Sequence, residues 1–73
     1  LKVKILLKEA MKKRNLTQMQ LSELSGVRQA AISELYRNAR QEINLIMLSK
    51  LATAMNIKDI SELLQFVDEN EGD

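Results

Sequence analysis

The sequence predicts an all-α domain of five helices, on three observations. Apolar residues recur at helical spacing along successive stretches, helix-start and helix-stop residues punctuate those stretches, and the composition of 45% hydrophobic with 29% charged residues is that of a globular chain. At 73 residues the chain has room for one small core.

Val3, Leu6, Leu7, Ala10 and Met11 follow the spacing of one helical stripe, with Lys2, Lys4, Lys8, Glu9 and Lys12 on the other faces, so a first helix is expected to run to about Arg14-Asn15. Thr17 precedes Gln20 by three residues, as in a capping box, and Leu16 and Leu21 flank it as a hydrophobic staple. A second helix therefore starts at Gln18. It is expected to end near Ser25, because Gly26 permits the left-handed backbone that closes a helix and turns the chain. A third helix carries Ala31, Ile32 and Leu35. After a polar loop, Asn44 caps a fourth helix with Leu45, Leu48, Leu51, Ala52 and Met55 as its buried stripe, Ile43 and Leu48 as a staple, and Asn56 as a left-handed stop. A fifth helix carries Ile60, Leu63, Leu64 and Val67, capped by either Asp59 or Ser61. Residues 1–67 thus form one domain, and the acidic stretch 68–73, which has no apolar residue, is expected to fray.

The inventory excludes most chemistry. Without Cys, His or Trp there is no disulfide, no thiolate or imidazole metal site and no imidazole base; two glycines, Gly26 and Gly72, cannot build a phosphate loop. Glu9, Glu23, Glu34 and Glu42 lie on different elements with no spacing that converges them on a metal. No enzyme activity, metal or cofactor is expected. No apolar run approaches the roughly 20 residues of a membrane helix, and no secretory signal is visible, so a cytoplasmic protein without membrane contact is expected.

A net charge of +1 conceals an asymmetry. Residues 1–40 hold nine Lys and Arg against three acids, whereas residues 41–73 hold two against seven. A basic half suits a polyanionic partner such as nucleic acid, although ordinary solvating charge would look the same. The pattern between helices two and three is more specific. Ser22 stands mid-helix where a larger side chain would push the next helix away, Gly26 makes the turn, and Leu21, Val27, Ile32 and Leu35 occupy positions that point into a shared core, which together describe a helix-turn-helix.

Through Leu16-Thr17-Gln18, Leu21-Ser22, Gly26-Val27 and Ile32-Ser33 the chain resembles the phage-repressor (Cro/C1, XRE) type of helix-turn-helix domain, over roughly residues 3–67. It is most similar to a short single-domain subgroup, through Leu35-Tyr36-Arg37-Asn38 and Ile60-Ser61-Glu62-Leu63-Leu64. The resemblance implies a five-helix, lambda-repressor-like fold, sequence-specific binding of double-stranded DNA, and transcriptional regulation as a repressor, commonly as a homodimer. One departure is Arg28, where relatives have a Ser or Thr cap; it cannot accept the backbone amides of the third helix.

In such a motif the third helix enters the major groove with its N-terminal residues against base edges, which assigns base reading to Gln29, Ala30, Ser33 and Glu34. Gln29 has the amide that pairs with adenine, Ala30 a methyl for thymine, and Glu34 is equally an acceptor for cytosine or a solvated acid. Gln18, Arg28, Arg37, Asn38 and Arg40 are the expected phosphate contacts, Arg40 having Glu42 as an alternative partner. Lys12, Lys13 and Arg14 fit either a DNA contact or the negative end of the first helix dipole. Tyr36 reads as a core residue with its hydroxyl at the surface. Leu63, Leu64, Phe66 and Val67 crowd almost every side of the fifth helix, more than one buried stripe needs, and are expected to meet a second copy of the chain. The same surface supports an alternative reading, an antitoxin-like or adaptor module that holds another protein.

Overall fold

A computed structural model describes residues 1–39 and 42–69. Along the chain lie strand β1 (Lys2–Ile5), helices α1 (Leu7–Lys13), α2 (Gln18–Ser25), α3 (Gln29–Tyr36) and α4 (Leu45–Ala54), a 3₁₀ turn (Ile60–Glu62) and strand β2 (Leu64–Val67). No described helix is long and apolar enough to cross a membrane.

The expectation of an all-α, five-helix domain is corrected at both ends. Four α-helices carry a two-stranded antiparallel sheet in which Lys2 faces Val67, Val3 faces Phe66, Lys4 faces Gln65 and Ile5 faces Leu64. Lys2-Val3-Lys4-Ile5 satisfies a period of two as well as it satisfies the helical stripe that Val3 would join. The final segment, with Leu64, Phe66 and Val67, likewise fits either period. Each becomes a strand because the other lies beside it, a long-range pairing that local periodicity does not contain. Of the expected fifth helix only one turn survives, capped by Asp59, whose carboxylate accepts from the amide and hydroxyl of Ser61. Those two bonds hold the Asp59 carboxyl below its ordinary value of 3.8. Their contribution to stability is complete above that value and is lost as the pH falls through the lowered one.

The other boundaries follow the local chemistry. Thr17 and Gln20 form the capping box of α2, Asn44 accepts from the amides of Ile46 and Met47 at the start of α4, and Gly26 and Asn56 take the left-handed conformation. Leu45 corrects the expected stripe of α4. As the first helical residue it lies off the end of the packed face and is 72% exposed, whereas Leu48, Leu51 and Met55 are buried. They join Leu7, Ala10, Met11, Leu21, Val27, Ile32, Leu35, Ile57 and Leu63 in one core, with Ile5 entering from the sheet. Leu63 is therefore closed to any partner chain, while Leu64 and Val67 are half-buried and Phe66 is exposed.

Two side chains tie the parts together. Arg14 donates from Nε to the carbonyl of Met55 at 2.9 Å, from Nη1 to that of Ala10 at 3.1 Å and from Nη2 to Oε2 of Glu62 at 3.0 Å. It joins the ends of α1 and α4 to the 3₁₀ turn: the bond to Ala10 fits the expected place at the end of the first helix, whereas those to Met55 and Glu62 were not expected. Asn38, left-handed at φ 55°, accepts from the amide of Ile5 at 2.7 Å and donates to the Ile5 carbonyl at 2.9 Å. Its side chain stands beside β1 as a strand one residue long.

Arg14→Ala is expected to cost about 2 kcal/mol, since three hydrogen bonds from a charged, part-buried group are lost. Glu62→Gln, which removes only a solvent-screened ion pair, should cost less than about 1 kcal/mol. Urea denaturation of the two variants checks the ordering; equal losses would contradict it.

Candidate nucleic-acid interface

The turn between α2 and α3 is built around Val27. At Gly26 the backbone has φ 76°, and no atom lies within 4 Å of where a Cβ would stand, so glycine is required there by conformation rather than by space. The Gly26 amide donates to the Ser22 carbonyl at 2.9 Å, closing α2. The Ser22 hydroxyl then donates to the carbonyl of Val27 at 2.6 Å, and the Ser25 hydroxyl accepts the Val27 amide at 3.1 Å. Both peptide groups of Val27 are thus held by serines while its side chain enters the core at 7% exposure. The sequence shows Ser22 as small; its hydroxyl does more, and Ser25 is a participant that sequence reasoning missed, because Ser at a helix end is too common to signal a turn. Leu21, Ile32 and Leu35 are buried beneath the turn, and α2 packs on both α3 and α4.

Beyond the turn, α3 begins without a side-chain cap. Arg28 sits at the cap position with extended backbone and an exposed side chain. Among the described residues no acceptor meets the amides of Gln29 and Ala30. Gln29 and Ala30 are exposed, and Ser33 and Glu34 are half-buried one turn further along the same face. Of the expected phosphate contacts, Gln18 is half-buried at the first position of α2, and Arg37 is exposed at the far end of α3, its Nε lying 3.4 Å from the Ser33 carbonyl. Asn38 departs from its expected role, since its amide is committed to Ile5. Arg40 lies outside the described residues. Lys12 and Lys13 are exposed at the end of α1. Tyr36 packs its half-buried ring against the core, with the Lys8 ammonium 5.9 Å from the ring centre.

Among the described residues no cluster of three His, Cys, Asp or Glu could hold a metal. An open groove of about 470 Å³ between α2 and α4 is lined by Leu24, Ser25, Ile46, Ser49, Lys50, Thr53 and Ala54, a set with no acid among it.

Two helices locked across a glycine turn, the second presenting an exposed N-terminal face, define a helix-turn-helix domain. The model of the helix-turn-helix family matches residues 7–63, and the chain belongs to that family, in its Cro/C1 (XRE) type, whose members are DNA-binding transcription regulators. No curated protein and no solved structure matches it. The matched segment covers α1 through Leu63 and leaves both strands of the sheet outside.

Arg28→Ser would give α3 the cap it lacks, and a gain of about 1 kcal/mol in unfolding free energy is expected. The same change removes a cation and satisfies the Ala30 amide, one of the two vacant ones, so affinity for duplex DNA should fall. Denaturation and fluorescence anisotropy on one protein sample read both; a variant that is more stable and binds as well would dissociate the vacant helix end from DNA.

Proposed function

We propose that the protein is a sequence-specific transcriptional repressor that inserts α3 into the major groove and binds its operator as a homodimer. The observation that carries this reading is the exposed start of α3, with Gln29 and Ala30 outermost, set by the pinned turn at Val27 and flanked by Arg28 and Arg37. Gln29 would bond N6 and N7 of an adenine, Ala30 would pack on a thymine methyl, and Ser33 and Glu34 would meet bases further along the groove. The vacant amides at the start of α3 suit a phosphate oxygen, as does the start of α2 at Gln18, and Arg28 and Arg37 would hold phosphates on either side. A domain that covers its operator excludes polymerase by occupancy. The exposed Phe66 gives a second copy a place to rest.

Selection of bound duplexes from a random pool supplies the operator. Against it, Gln29→Ala is expected to lose about 1–3 kcal/mol and to relax preference at one base pair, whereas Arg37→Ala should weaken all sequences alike and flatten the dependence of log K on log salt by about one unit. Anisotropy titrations at several salt concentrations measure both. Absence of binding to any duplex at low salt would overturn the reading.

A further inference from the structure

The hydrogen-bond alternation of the sheet makes its two edges unequal. The Leu6 amide donates to the Leu63 carbonyl at 2.8 Å, in the same register as the four strand pairs, while the Leu63 amide turns back to the Ile60 carbonyl at 2.9 Å; the alternation therefore makes Lys4 with Gln65 and Lys2 with Val67 the pairs that exchange backbone bonds. Val3, Ile5, Leu64 and Phe66 consequently turn their amides and carbonyls outward. On the β1 side the outward groups of Ile5 are taken by Asn38, and Val3 stands between Lys2 and Lys4, the residue type that guards a strand edge. On the β2 side the outward groups of Leu64 and Phe66 meet no partner among the described residues, and the strand carries no charged residue at all. Phe66 is 70% exposed there, and Val3, its cross-strand neighbour, 56%.

We infer that the homodimer forms along the edge of β2, two copies of Leu64–Val67 pairing antiparallel into a four-stranded sheet ordered β1-β2-β2-β1. A two-fold axis suits this edge. Antiparallel pairing of a strand with itself is self-complementary, and either register that matches the outward groups sets Phe66 against the partner's Phe66 or the partner's Leu64. With Phe66 against the partner's Phe66, the outcome is an apolar stripe running from Val3 through both copies of Phe66 to the partner's Val3; with Phe66 against the partner's Leu64, the stripe ends on the partner's Ile5. The rival pairing, β1 with β1, would bring lysines together. A stable dimer usually buries about 800 Å² per copy, about 15% of the 5265 Å² exposed by this chain, which is more than four residues of strand supply. Dissociation at micromolar concentration, with closure on DNA, is therefore expected. The inference rests on the homodimer reading and goes beyond it, since the sheet lies outside the segment that the family model matches.

Amide hydrogen exchange followed over a dilution series tests it. As concentration rises, the Phe66 amide should become protected, while the Gln65 and Val67 amides, already bonded to β1, change little. Two variants localise the contact by sedimentation. Phe66→Pro deletes an outward amide without touching the bonds to β1, and Phe66→Lys keeps the amide but sets like charges across the axis; folded monomers are expected from both. Should Phe66→Pro fail to fold, Phe66→Lys decides. A wild-type protein that stays monomeric at about 100-fold above the micromolar range, with the Phe66 amide unprotected, overturns the homodimer and leaves the edge to a foreign strand, while binding to duplex DNA is judged separately. A wild-type dimer whose affinity survives the folded variants overturns the edge alone.

Discussion

The exposed face of α3 takes its orientation from the peptide of Val27. A two-turn helix has little stability of its own, and α2 and α3 are both eight residues long, so their relative setting has to come from the junction. Gly26 supplies the change of direction, and the hydroxyls of Ser22 and Ser25 hold the amide and carbonyl that follow it. The buried Val27 side chain then fixes the start of α3 over the core. Because that carbonyl and amide are satisfied from α2 itself, the angle between the helices does not depend on solvent or on a ligand.

The middle of the fold was legible in the sequence because its signals are local. A capping box, an Asn cap, a glycine stop and an Asn stop each lie within a few residues of the boundary they set, and α2 and α4 begin where those residues place them. The two ends were not legible in the same way. Lys2-Val3-Lys4-Ile5 fits two periods, and only the presence of Leu64–Val67, some sixty residues on, decides between them. An error at one end therefore entailed the error at the other. Leu63 shows the cost: assigned to an interface as part of a helix, it is the last core residue before the chain straightens into β2.

At the interface, exposure of Gln29 and Ala30 could be read from position in the motif, whereas the allegiance of polar side chains could not. Asn38 and Arg14 both stand beside a recognisable helix end among basic neighbours, where a phosphate contact is a reasonable expectation. Asn38 instead completes a backbone pair across thirty-three residues, and Arg14 bridges to Met55 and Glu62. Long polar side chains acquire such partners only once the chain is folded, and their spacing carries no trace of it. The missing cap at Arg28 is the converse case, visible as an inconsistency in the sequence and present as such in the structure.

The side chain of Asn38 also sets a limit on assembly. By occupying the hydrogen-bonding groups of Ile5, it plugs half of the β1 flank, whose other outward residue, Val3, stands between two lysines, while among the described residues the outward groups of the opposite flank meet no partner. Strand-to-strand association between molecules so equipped is self-limiting: two open flanks consume each other, and what remains outermost is an edge with Ile5 plugged and Val3 flanked by lysines. A ribbon that could otherwise lengthen indefinitely stops at its first step.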